Sequence, residues 1–131
     1  IGVCIPYAYH KDEVNPYVWD YKNKKITNKK LSLTIKDGEY NGAGEIILFN
    51  VLNDGLMKGL DLQILDNLKI INPNVPILLA GGAGKEEHFS DILKHPKVQG
   101  IVASSIFALT ESTPSTIRKH CESKGIEMRR T

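Results

Sequence analysis

The chain has 131 residues, with 17 Lys and Arg against 15 Asp and Glu, and is 41% hydrophobic and 24% charged. That length holds one domain, residues 1–131, with a core of its own, and the composition excludes disordered and fibrous classes. A formal net charge of +2 is too small to point to nucleic acid, and no apolar run nears the roughly 18 residues needed to cross a bilayer.

The first element is a strand over residues 3–9, in which Pro6 is awkward because it cannot donate to a ladder. Tyr17-Val18-Trp19-Asp20-Tyr21 and Ile26-Thr27 read as a hairpin turning on Asn23, set in the loop after strand one. A helix follows over residues 28–40, with Asn28 as N-cap, Gly42 as its stop and Gly38 as a weak point. Glu45-Ile46-Ile47-Leu48-Phe49-Asn50-Val51 is a second strand, apolar at nearly every position, as expected when both faces are covered. Asn53-Asp54-Gly55 signals a turn. Leu62, Leu65, Leu68 and Ile71 then recur at helical spacing over residues 61–71. A third strand is expected over 77–80, a third helix over 85–93 and a fourth strand over 100–104. Thr113-Pro114 supplies the N-cap and first position of a last helix, which Gly125 ends.

Strand and helix thus alternate four times, which implies a parallel sheet with right-handed crossovers. A doubly wound sheet uses the same alternation, but the strand-to-helix turns read as barrel-top loops. The expected fold is therefore α/β, a parallel (βα)4 half of an eight-stranded TIM barrel. Alone, such a half leaves two strand edges and an apolar face open, so completion by a second copy in a homodimer, or by a missing N-terminal half, is expected. The chain opens on Ile1 rather than Met, already in a strand-like run, which points to residues upstream.

The chemistry concentrates in two stretches, Leu79-Ala80-Gly81-Gly82-Ala83-Gly84 and Val102-Ala103-Ser104-Ser105-Ile106-Phe107. Each follows a buried-strand pattern and leads into a helix, where small residues expose backbone N–H groups to an anion. In a (β/α)8 barrel the loops after the last two strands commonly hold a phosphate. With Gly55 one strand earlier and Ser105 one strand later, anion binding is favoured over a mere tight turn. The expected ligand is phosphate, sulfate or a phosphorylated small molecule, held by Gly55, Gly81, Gly82, Ser104 and Ser105.

Other candidates have plainer readings. The lysines at 22, 24, 25, 29 and 30 read as a solvated loop. Cys4 and Cys121 are far apart and read as reduced packing thiols of a cytoplasmic protein. His95 and His120 lack partners at metal spacing and are expected to face solvent, and His88 to pack or cap. Trp19, Tyr7, Tyr9, Tyr17 and Tyr21 are expected to pack about the hairpin over the barrel top, or at an interface, rather than to stack on a ligand ring. No metal site and no cofactor are expected.

The motifs Gly42-Ala43-Gly44-Glu45-Ile46-Ile47-Leu48, Asn53-Asp54-Gly55, Lys58-Gly59 and Asp61-Leu62 resemble those of the cyclase subunit of imidazole glycerol phosphate synthase. So do Gly81-Gly82-Ala83-Gly84 with Glu87-His88-Phe89, Ala103-Ser104-Ser105-Ile106-Phe107, and Lys124-Gly125-Ile126. The similarity runs in order from Ile1 to about Arg130 and corresponds to the C-terminal half of that barrel. It implies a lyase-type cyclase of histidine biosynthesis that closes an imidazole ring with ammonia from a glutaminase partner. A sister group installs acetamidino groups on bacterial surface sugars. The resemblance places Asp54, Gly55, Gly82 and Ser105 at the phosphate of this half.

The departures concern proton transfer. The family's catalytic carboxylate ends the first strand of this half, and Ala8 stands where it is expected; an alanine moves no proton. Phe49-Asn50-Val51-Leu52 replaces a polar stretch, and Ala80 replaces a serine. His10 and Asp12, with Glu13, are the candidates left for acid–base work, against a plain loop reading for each.

Overall fold

The computed structural model describes residues 2–128, so Ile1 and residues 129–131, at the two ends of the resembling stretch, lie outside it. Strands β1 (Gly2–Tyr9), β2 (Pro16–Asp20), β3 (Lys25–Lys30), β4 (Glu45–Asn50), β5 (Ile77–Ala80) and β6 (Val98–Val102) form one sheet in the order β3-β2-β1-β4-β5-β6. β1, β4, β5 and β6 pair in parallel, while the β2–β3 hairpin adds antiparallel to β1. The helices are α1 (Leu31–Tyr40), α2 (Gln63–Ile71), α3 (Glu86–Leu93), α4 (Ser105–Leu109) and α5 (Pro114–Ser123). This is the (βα)4 half of a barrel, an open sheet enlarged at one end by the hairpin expected in the loop after strand one.

One face of the sheet carries the core. Ile46 and Leu48 alternate along β4 with no exposed surface and meet Leu31, Ile35, Ile64 and Leu68 of the helices, equally buried. Burying each such side chain stabilises by about 1.5–3 kcal/mol. Ile47 and Phe49 point to the other face and are only half-buried. The nearly all-apolar β4 therefore has one face under helices and the other bordering a hollow.

The first helix begins three residues later than expected. Asn28 lies within β3, and Thr27 Oγ1 donates to the Val18 carbonyl and accepts from Lys29 N, so the cross-strand bonds of the hairpin hold residues 25–30 extended. α1 then starts after Lys30 without a side-chain cap. It runs through Gly38, where a Cβ would make ordinary van der Waals contact with Ile46 Cδ1 at 3.4 Å. The helix into which the Val102–Phe107 stretch was expected to lead is the five-residue α4, starting at Ser105. The last helix starts as expected, with Thr113 Oγ1 accepting from Thr116 N and Pro114 in the first turn.

Pro6 is accommodated because β1 pairs with β2 only from Tyr7 to Tyr9, so Pro6 stands just outside that ladder. The β1 edge from Gly2 to Pro6 and the outer edge of β6 carry no further strand among the described residues. Cys121 is buried in α5, but Cys4 is exposed, because its side of β1 faces the hollow rather than the core.

Candidate functional site

The β4–α2 and β5–α3 connections meet above the C-terminal ends of the parallel strands. Gly81 and Gly82 adopt φ of 99° and 109°, a region that glycine alone enters without strain. A Cβ on Gly81 would come 2.7 Å from the Asn50 carbonyl oxygen, and one on Gly82 would overlap the Gly59 carbonyl oxygen and Asn53 Nδ2. Both glycines are therefore required by close packing as well as by dihedral angle. Gly59 N donates to the Gly82 carbonyl at 2.9 Å, and Asn53 Nδ2 donates to the carbonyls of Gly59 (2.7 Å) and Gly81 (3.3 Å).

With these carbonyls taken, the Gly82 and Ala83 amides donate to no protein group among the described residues. Neither does the Ser105 amide at the start of α4, whereas the next two amides, of Gly84 and Lys85, go to His88 Nδ1 at 3.0 and 3.2 Å. His88 thus closes the start of α3, as its capping reading expected. The free amides border a cavity of about 300 Å³ whose polar rim is Asp54, Gly81, Gly82, Ser104 and Ser105 and whose floor includes Cys4, Ile47, Phe49, Ala80 and Val102. Five of the six expected anion-site residues are brought to this cavity. Gly55 is not among its lining residues; it turns the preceding loop at φ 79°.

The acid–base candidates lie elsewhere. His10 Nε2 is 2.9 Å from the Thr27 carbonyl oxygen, and its ring meets Tyr17 edge-on at 4.8 Å. Asp12 and Glu13 are exposed in the β1–β2 turn. None of the three lines the cavity. Ala8 is buried opposite Tyr17 of β2. Tyr21 at the hairpin tip is exposed, and partial burial first, then Cys4 and Asp54, raise its hydroxyl pKa. His95 and His120 are half-buried rather than solvent-facing. His95 accepts from Lys97 N, and His120 bonds Ser90 Oγ across α3 and α5. Among the described residues no group of three or more His, Cys, Asp and Glu is placed to hold a metal, and no helix is long and apolar enough to cross a membrane.

A second polar cluster was not foreseen. Tyr7 and Tyr9 hydroxyls donate to Asp61 Oδ2 at 2.8 and 2.6 Å, Asn50 Nδ2 reaches the same oxygen at 3.3 Å, and Ile64 N donates to Oδ1 at 3.2 Å. Burial first, and the Asp61 carboxylate second, push both tyrosine hydroxyls far above their ordinary pKa. Asn50 Oδ1 in turn accepts from Asn53 N. The network therefore runs from Asp61 through Asn50 and Asn53 to the Gly81–Gly82 turn. Its one local signal is the Asn53-Asp54-Gly55 turn; the meeting with Asp61 is tertiary.

Residues 4–113 match the histidine biosynthesis protein family. The chain belongs to that family. It is 32% identical over 131 residues to "Imidazole glycerol phosphate synthase subunit HisF" of Yersinia enterocolitica, covering 98% of this chain and 50% of the relative. It is 34% identical over 119 residues to the HisF subunit of Actinobacillus pleuropneumoniae (89% and 45%). With that of Staphylococcus carnosus it shares 29% over 129 residues (97% and 50%). The chain thus spans about half the length of the curated relatives it matches, in agreement with a sheet that supplies half of a barrel.

Proposed function

We propose that this chain is the phosphate-gripping half of a HisF-like barrel, holding a phosphorylated small molecule at the rim formed by Asp54, Gly81, Gly82, Ser104 and Ser105. The observation that carries the reading is the set of amides at Gly82, Ala83 and Ser105, without a partner among the described residues, around one cavity. Amides left without carbonyls are strong donors, and their bonds to an anion are charge-assisted and about twice as strong as neutral ones. The hydroxyls of Ser104 and Ser105 add to the donor set. Asp54 braces the loop from its own backbone, since Asp54 N donates to the Asn50 carbonyl.

None of the acid–base candidates read from the sequence reaches this cavity. Ala8 has no titratable group, Phe49 and Ala80 present apolar surface to the cavity, and His10 and Asp12 stand away from it. An ammonia-dependent ring closure as in HisF therefore needs an acid–base group other than these, which we assign to a preceding half or a partner. The sister reading, a component of acetamidino-sugar synthesis, rests on the same anion site.

A specific observation supports a second copy or a preceding half as the completing partner. The free β6 edge is flanked by a groove of about 780 Å³ lined by Phe89, Leu93, Ile101, Phe107 and Met128 among others, and Val102 is 45% exposed. Together with the open Gly2–Pro6 edge, this supports pairing in a homodimer of the isologous kind. A glutaminase-type subunit and a cytoplasmic location accompany the cyclase reading.

Titrating the protein with inorganic phosphate while recording 1H–15N spectra tests the anion site. Downfield movement of the Gly82, Ala83 and Ser105 amides is expected. Their indifference to tens of millimolar phosphate refutes it. Sedimentation at micromolar concentration tests the pairing, and a strict monomer excludes the homodimer.

A further inference from the structure

The anion site is aimed by a residue that is not part of it. We infer that Asn53 is the positioning residue of the Gly81–Gly82 turn, directing its amides toward the ligand by holding the opposite ends of the same peptide planes. The inference deepens the phosphate reading above and rests on it.

A trans peptide is planar, with its C=O and N–H pointing in opposite directions. The Gly81 carbonyl and the Gly82 amide belong to one such plane. Asn53 Nδ2 takes the Gly81 carbonyl at 3.3 Å, so the Gly82 N–H is turned away from Asn53. The Gly82 carbonyl and the Ala83 amide belong to the next plane, and Gly59 N holds that carbonyl at 2.9 Å, so the Ala83 N–H is turned away as well. Gly59 is itself fastened, since Asn53 Nδ2 also takes the Gly59 carbonyl at 2.7 Å. One side-chain nitrogen thereby fixes both planes, using both of its hydrogens. Both of its partners are carbonyl oxygens, which settles the orientation of the Asn53 amide.

The plates need this support because nothing intrinsic holds them. Two glycines in succession at φ of 99° and 109° belong to the residue type with the widest choice of backbone conformation, so unrestrained planes would rotate. Asn53 does not rotate in compensation. Its N–H donates to Asn50 Oδ1 at 3.2 Å and to the Asn50 carbonyl at 3.3 Å, and Asn50 is tied to Asp61. Its side chain also fills the space that a Cβ on Gly82 would enter. Asn53 Nδ2 is occupied by carbonyls, so its action on the ligand runs through Gly82 and Ala83.

The test is phosphate affinity by calorimetry together with 1H–15N titration, on the full chain, for Asn53→Ala, for Asn53→Ser, and for Ile92→Val as a control in the buried core. Asn53→Ala is expected to weaken inorganic phosphate about tenfold or more, the equivalent of losing one amide–anion bond. The Gly82 and Ala83 resonances should lose their response, whereas Ser105 across the cavity keeps its own. Asn53→Ser, which retains turn chemistry with one donor, should fall between parent and alanine variant, and Ile92→Val should bind as the parent does. Parental affinity in Asn53→Ala, or equal loss of response at Gly82 and Ser105, overturns the inference while leaving the phosphate reading intact. Failure of both Asn53 variants to fold overturns it too, since Asn53 would then serve the fold at large. A parent that does not bind phosphate removes both readings.

Discussion

Replacing Gly82 by alanine separates backbone strain from packing at the junction of the two rim loops. At φ of 109° an L-residue stores about 1–3 kcal/mol. The added methyl must also displace the Gly59 carbonyl and Asn53 Nδ2, and such overpacking costs about 1–3 kcal/mol. Gly82→Ala is thus expected to lose about 2–6 kcal/mol, a large part of the 5–15 kcal/mol typical of a domain. Gly55→Ala is the internal reference. Its φ is also positive, at 79°, but its Cβ would meet nothing within 4 Å, so only the left-handed penalty of about 1–2 kcal/mol applies. Urea unfolding at one protein concentration reads both midpoints, with the slope checked for constancy. Equal midpoints for the two variants would refute the claim that the rim loops interlock at Gly82, whatever the ligand.

Asp61→Ala should cost more than Tyr7→Phe, by about 1–2 kcal/mol in urea unfolding. The first leaves the Tyr7 hydroxyl, on a residue only 1% exposed, without its acceptor, whereas the second removes the donor cleanly; the reverse order would contradict the network. Tyr7 and Tyr9 keep their protons in the folded state well above the ordinary pKa near 10. The stability they contribute is therefore complete below pH 10 and falls as pH rises beyond it, because only the unfolded chain ionises. Absorbance at the phenolate band should show these two tyrosines ionising only with unfolding, and free titration near pH 10 while the fold persists would refute this. Thr113→Ala removes the acceptor for Thr116 N at the start of α5 and should cost about 1 kcal/mol; no change in thermal midpoint would show the cap to be idle.

The alternation of strand and helix was legible because each element carries its own period. Leu62, Leu65, Leu68 and Ile71 announce α2, and the unbroken apolar run of β4 announces a parallel strand. The glycine pair and the serine pair were legible as rim residues because tight turns packed closely at strand ends need small residues. The start of α1 was not, since Asn28 is a good cap in isolation and became a strand residue only through its pairing with β2. Cys4 and His120 were misplaced for a related reason: whether a side chain meets core, hollow or a neighbouring helix depends on which face its element turns inward.

Local order in this chain thus determined its elements, its turns and the residue types at the rim, because these depend on neighbours a few positions away. Tertiary structure alone decided that Asn53 braces Gly81 across 28 positions and that Tyr7 and Tyr9 meet Asp61 more than 50 positions on. It alone left the candidates His10 and Asp12 outside the cavity. Such contacts follow from sheet register and loop docking, where partners are set by three-dimensional proximity and no spacing along the chain encodes them.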